Sequence, residues 1–180
     1  MKTQETKWAI DPTHSKVAFK VKHLMISNVL GNFKEFEGQV STDGDDFSTA
    51  EINFSLNAAS IDTEMADRDG HLKSPDFFDA EKYPKITFSG KGMKDLGDEM
   101  FELTGDLTIK DVTKSVTLTV EYGGIMSDPW GNVKAGFSLS GKINRKDFGL
   151  NWNAALEAGG VLVGEEVKIS GDIELAKVAN

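Results

Sequence analysis

The chain has no cysteine, four prolines, three histidines and, among its 20 basic residues, only the arginines Arg68 and Arg145. Without cysteine there is neither a disulfide nor a thiolate to hold a metal, and the absence suits a reducing and an oxidising compartment equally. No apolar run approaches the ~20 residues that span a bilayer as a helix. The opening "MKTQETKWAIDP" has no apolar core of signal-peptide length. As it stands the sequence reads as a soluble, cytoplasmic protein, with a periplasmic location as the alternative if a leader precedes it. Positive charge is also scarce. The formal charge is −9, and no block of lysines offsets it along the sequence, so nucleic acid is not expected as a partner and anionic headgroups are repelled. Helical periodicity is nearly missing too.

Alternation of period two takes its place, and it puts one set of side chains on one face of a strand. "KVAFKVK", "EINFSLNAAS", "FELTGDLTI" and "VKISGDIEL" show it most clearly. Eight strands are expected, at about 14–23, 29–41, 49–60, 85–95, 100–110, 114–124, 133–144 and 164–176. Polar joints such as "TDGDD", "LGDE" and "SDPWGN" favour consecutive antiparallel pairing. Parallel crossovers would need helices that the sequence does not offer. Residues 1–180 are thus expected to form one all-β domain, an eight-stranded antiparallel barrel. Gly90, Gly105, Gly141 and Gly171 share the apolar phase of their strands. Inward glycines either leave a lumen or let strands coil sharply, and the lumen is the preferred reading.

In up-and-down order the connections alternate between the barrel ends. The plain end receives polar turns, whereas the other receives "LMISN", residues 61–84 and residues 145–163, together with His23, His71, Trp152 and both arginines. Long loops in a compact domain are usually functional, so this end is the expected mouth. Within 61–84 a short helix over 62–73, started by Asp62 or Thr63, precedes a further turn begun by Ser74-Pro75 that buries Phe77 and Phe78. The segment reads as a lid.

Catalytic and metal readings fail on these residues. Fitting "DRDG" to a calcium loop puts Met65 where an oxygen ligand is required. His14 is placed at the plain end, away from His23 and His71, so no three-histidine site is expected. The "DFG" at 147–149 lacks every other part of a kinase. No nucleophile elbow or paired carboxylates can be singled out. Neither a cofactor nor catalysis is expected.

The motifs "DPTHSKVAFKVKHL", "VLGNFKEFEG", "RDGHLKSPDFFDAEKYPKITF", "LTGDLTIKDVTKSVTL" and "NRKDFGLNW" resemble the YceI-like family, in uninterrupted order from about residue 8 to residue 176. The resemblance implies a lipocalin-like barrel that binds polyisoprenoids or other long-chain amphiphiles, and many members of the family are periplasmic. The expected ligand is thus an isoprenoid, quinone or fatty-acid type of lipid, held for storage, transport or sequestration without stable membrane insertion. Each buried methylene is worth ~0.8 kcal/mol, so ~15 carbons give roughly 12 kcal/mol gross. Candidate lumen residues are Phe19, Phe54, Phe88, Phe101, Leu103, Phe137, Leu139 and Ile169. Arg68, with Arg145 as a second, is the candidate for a phosphate or carboxylate head, since guanidinium can grip either through two parallel bonds. His71 and Phe78 complete the set at the mouth. Salt bridges to Asp67, Asp69 or Asp147 that pin the lid are the competing role for the two arginines. An enzyme acting on an isoprenoid lipid and a filled barrel serving as a scaffold are the rival readings, and a homodimer is compatible with all of them.

Overall fold

The computed structural model describes residues 4–154 and 162–179. Its strands are β1 (Glu5–Ile10), β2 (Lys16–His23), β3 (Ser27–Phe33), β4 (Phe36–Asp43), β5 (Asp46–Asn57), β6 (Ile61–Asp62), β7 (Lys85–Lys91), β8 (Lys94–Gly97), β9 (Met100–Ile109), β10 (Val112–Ser127), β11 (Val133–Asn144) and β12 (Val163–Lys177), with one helix, α1 (Ala66–Lys73), before β7. β12 pairs with β1 through Ile10↔Leu175 and with β2 through Phe19↔Ile169. β1 and β2 are therefore two halves of one bent stave. β3 and β4 make a second, since β3 pairs β2 and β4 pairs β1. These two staves with β5, β7, β9, β10, β11 and β12 close an eight-stranded antiparallel barrel in sequence order.

Three local expectations change. The first stave begins at Glu5 rather than about residue 14, because the turn Pro12–His14 bends it without ending it. His14 accordingly lies at a bend in the wall and not at the plain end. The lid helix starts at Ala66, with Met65 at its N-cap and no side-chain cap bond. The carboxylates expected to cap it are used otherwise: Asp62 accepts from the Glu64 N–H (2.9 Å), and Asp69 accepts from the N–H and hydroxyl of Thr63.

At the wall bend, Asp11 accepts from Thr13 and from the Lys134 ammonium (2.9 Å), and its other near neighbour is the His14 ring (2.9 Å). These contacts, Lys134 foremost, hold the Asp11 carboxyl well below the usual carboxylate range. A carboxyl whose folded pKa is depressed stabilises the fold fully above its unfolded pKa, near 4, and progressively less as pH falls below it. Asp11→Asn is thus expected to lower the urea midpoint at neutral pH, with the gap to wild type closing on acidification. A gap that widens in acid would contradict this.

The inward glycines do not line empty space. A Cβ at Gly105 would lie 2.5 Å from Phe88 Cζ, one at Gly141 2.5 Å from Leu118 Cδ2, and one at Gly171 2.8 Å from Leu139 Cδ1. At Gly90 the nearest atom is Leu103 Cδ1 at 3.1 Å. Each glycine makes room for a large side chain of an adjacent strand, which lies across it. The lumen is formed beyond those side chains.

The β2–β3 turn is locally strained. Leu24 and Met25 have φ of 54° and 62°, and the Ile26 N–H closes the turn on the His23 carbonyl (3.2 Å). Two successive positive φ values favour Asn-Gly, and the left-handed region costs other residues roughly 1–2 kcal/mol each.

Candidate functional site

The barrel encloses a cavity of about 550 Å³, within the range of small-molecule sites. Its floor is an aromatic cluster at the plain end. The Phe47 ring stands 5.1 Å from Trp8, 5.6 Å from Tyr122 and 4.8 Å from Phe137, and Tyr122 stacks on Phe137 at 5.2 Å. The Trp8 indole N–H donates to the Thr42 hydroxyl (3.0 Å), so this buried ring leaves no polar atom unpaired.

Inward side chains from every stave form the walls. Phe19, Phe54, Phe88, Leu103, Phe137, Leu139 and Ile169 all line the cavity, as do Arg68, His71 and Phe78 at the mouth. Phe101 does not. It belongs to the floor, with its ring 6.5 Å from Tyr122.

The lid is held by polar contacts on one side and by rings on the other. Arg68 donates from Nε to the Thr63 hydroxyl (2.7 Å) and from Nη2 to the Thr63 carbonyl (2.8 Å), and among the described residues it has no carboxylate partner. The expected salt bridges from Arg68 to Asp67, Asp69 or Asp147 are therefore not formed. Since guanidinium carries five N–H donors, two contacts leave part of its fork unused. His71 faces the Asp76 carboxylate through Nε2 (2.9 Å), and its ring meets Trp152 and Phe77 edge-on at 4.7 and 5.1 Å. Phe78 stands edge-on to Phe33 at 6.0 Å, and its N–H donates to the Leu72 carbonyl.

Arg145 has a different part from a headgroup contact. The side chain is 3% exposed and donates to four carbonyls: those of Gly164 (2.8 Å), Leu150 (2.7 Å), Trp152 (2.8 Å) and Val163 (3.2 Å). Burial pushes its pKa down from the ordinary value. It fastens the two ends of the β11–β12 connection together. Of the connection expected over 145–163, residues 155–161 lie outside the described residues.

Several contributors escape the alternation pattern. Phe47 points inward out of phase with Ile52, Phe54 and Leu56, next to a register shift in the β4–β5 pair. Trp8 stands in a short stave that reads as a lead-in to Asp11-Pro12. Met65 and Met93 also line the cavity, from a loop and a turn that carry no period at all. Asp11, His14 and Glu174 approach one another closely enough for a metal, but the Lys134 ammonium already neutralises Asp11.

A closed eight-stranded antiparallel barrel with an apolar cavity under a short helical lid is a lipocalin-like architecture. The chain belongs to the family defined by the YceI-like domain, which matches residues 8–175. A UPF0312 protein of Staphylococcus epidermidis is 41% identical over 172 residues, covering 95% of this chain and 98% of that one. The Campylobacter jejuni YCEI protein superposes with a TM-score of 0.74 at 35% identity, covering 89% of this chain and 91% of that one. A polyisoprenoid binding domain from Saccharophagus degradans has the same fold, with a TM-score of 0.69 at 14% identity and coverage of 95% and 98%.

Proposed function

We propose that the chain is a binding protein for a long-chain amphiphile of isoprenoid or acyl type, with the tail in the barrel and the head at Arg68 and His71. One observation carries the reading. The charged side chains that line the cavity, such as Asp67, Arg68 and Arg145, stand at its mouth, and the interior from Phe19 to Phe137 is apolar. Such a gradient suits a molecule with one polar end, and it needs no reacting group. The name of the S. degradans domain supports the isoprenoid class. Extraction of the purified protein with organic solvent, followed by mass spectrometry, is expected to release a long-chain lipid in roughly stoichiometric amount. A protein that releases none, and that takes up neither a prenyl nor an acyl chain when offered one, would overturn the proposal.

The head position has its own test. Arg68→Ala is expected to weaken ligands with phosphate or carboxylate heads by roughly tenfold or more, since a charge-assisted hydrogen bond is worth ~1.5–3 kcal/mol. A neutral lipid of equal chain length should bind almost unchanged. Equal losses for both would return Arg68 to its contact with Thr63 alone.

A further inference from the structure

Three consecutive apolar residues project from the β2–β3 turn at the cavity mouth. Met25 is 61% and Ile26 82% exposed, and Leu30, outward on β3, is 66% exposed. The turn is joined to the opening itself: the Leu24 N–H donates to the Leu162 carbonyl (2.9 Å), and Lys22, His23 and Leu162 line the cavity. Beside it the strand register produces a row of like charges. Lys142 stands opposite Lys168 and Lys168 opposite Lys20, on three adjacent strands, with Leu30 opposite Lys20. Like charges directly opposite each other oppose folding unless something neutralises them. Among the described residues Lys142 is the one member of the row in an ion pair, with Glu166 at 3.8 Å; Asp62 and Glu64 border the same groove, and Asp62 is paired with Lys34. The row runs against the −9 charge of the whole chain. No lysine block along the sequence announces it: the three lysines are far apart in sequence and meet only through the register.

We propose that the β2–β3 turn and the lysine row beside it form a membrane-docking face, which seats the cavity mouth on a bilayer containing anionic lipid. A prong of three apolar side chains fits this occupant better than a protein partner. A stable protein interface buries about 800 Å² on each side, which a single turn does not offer. A bilayer accepts a small apolar insertion and adds electrostatic attraction for each lysine near its surface. Docked in this way, the opening faces acyl chains, and a tail passes between bilayer and barrel without crossing water. The inference rests on the proposed lipid cargo for its purpose, though not for its test.

Co-sedimentation of the wild-type protein with phosphatidylcholine vesicles containing phosphatidylglycerol is expected to show binding that weakens with salt. The strained turn supplies a discriminating variant. Leu24→Asn with Met25→Gly gives the turn the residues its φ values favour, so thermal stability should hold or rise while vesicle binding falls about tenfold or more. Lys20→Gln with Lys168→Gln should lower binding roughly thirtyfold on the anionic vesicles and leave it unchanged on pure phosphatidylcholine. Absence of wild-type binding, or binding unaffected by the turn variant, would overturn the proposal. So would a wild-type dimer in sedimentation velocity that the turn variant converts to monomer, since the prong would then serve self-association. Lipid extraction from the same samples separates the two readings: empty protein that docks retains the docking face and loses the cargo, and loaded protein that does not dock does the reverse.

Discussion

Arg145→Ala is expected to lower the stability of the protein by about 3–5 kcal/mol, among the largest effects of any single substitution in the chain. The side chain is buried, and its guanidinium satisfies the carbonyls of Leu150, Trp152, Val163 and Gly164 at once. Truncation would leave these acceptors to whatever water can reach them, and each unsatisfied buried acceptor costs about 1–3 kcal/mol. In a chain of this size such a loss corresponds to roughly 10 °C or more in the unfolding midpoint. Arg145→Lys should recover only part of it, because an ammonium has three donors and cannot spread them across a plane. The Asn153 side chain also donates to the Val163 carbonyl (2.8 Å), which limits the damage at that one acceptor. Calorimetry on the three proteins decides the matter. An Arg145→Ala midpoint within about 2 °C of wild type would mean that the carbonyls do not depend on the guanidinium.

Arg145 also illustrates what alternation can and cannot convey. Strands β5, β7, β9 and β11 were legible because their inward residues repeat every second position, and so most of the cavity wall, from Phe54 to Leu139, was legible with them. The periodicity does not carry across a bend. The Pro12–His14 turn concealed β1 and with it Trp8, and the register shift near Asp43 turned Phe47 inward against the phase of its own strand. Trp8 and Phe47 were lost from the floor of the cavity for this reason, whereas Phe101 and Phe137 were legible. Loop chemistry was less legible still. Both arginines could be placed at the mouth from the order of the strands, yet nothing in the order of residues separates Arg68, with part of its fork unused, from Arg145, whose donors are engaged by backbone carbonyls. That difference arises from the path of the chain between β11 and β12. The lysine row depends in the same way on register, which brings residues 20, 142 and 168 together.

The glycine pattern was visible in the sequence, but what it makes room for was not: a lumen bounded by glycines would let a larger side chain crowd the ligand and spare the fold, and the packing around them predicts the reverse. Gly105→Leu is expected to destabilise the fold by more than about 3 kcal/mol rather than merely to crowd the ligand, because overpacking alone typically costs ~1–3 kcal/mol and here the backbone is also in the way. A Cβ at Gly105 would lie 2.5 Å from Phe88 Cζ and 2.5 Å from the Ser89 carbonyl oxygen. The ring can turn aside, but the carbonyl belongs to the paired strand β7, where Gly90 stands opposite Gly105. Relief therefore requires the strands to part. Even Gly105→Ala should destabilise by ~1–3 kcal/mol. The same substitution at Gly70, in α1 with no atom within 4 Å of the added Cβ, should stabilise by up to ~1 kcal/mol through helix propensity. Opposite signs at the two positions, read from urea unfolding of the paired alanine variants, are the expected result. If Gly105→Ala proved neutral, or Gly105→Leu unfolded at the wild-type midpoint while expelling ligand, the glycines would bound the lumen after all and the ring of Phe88 would be free to move.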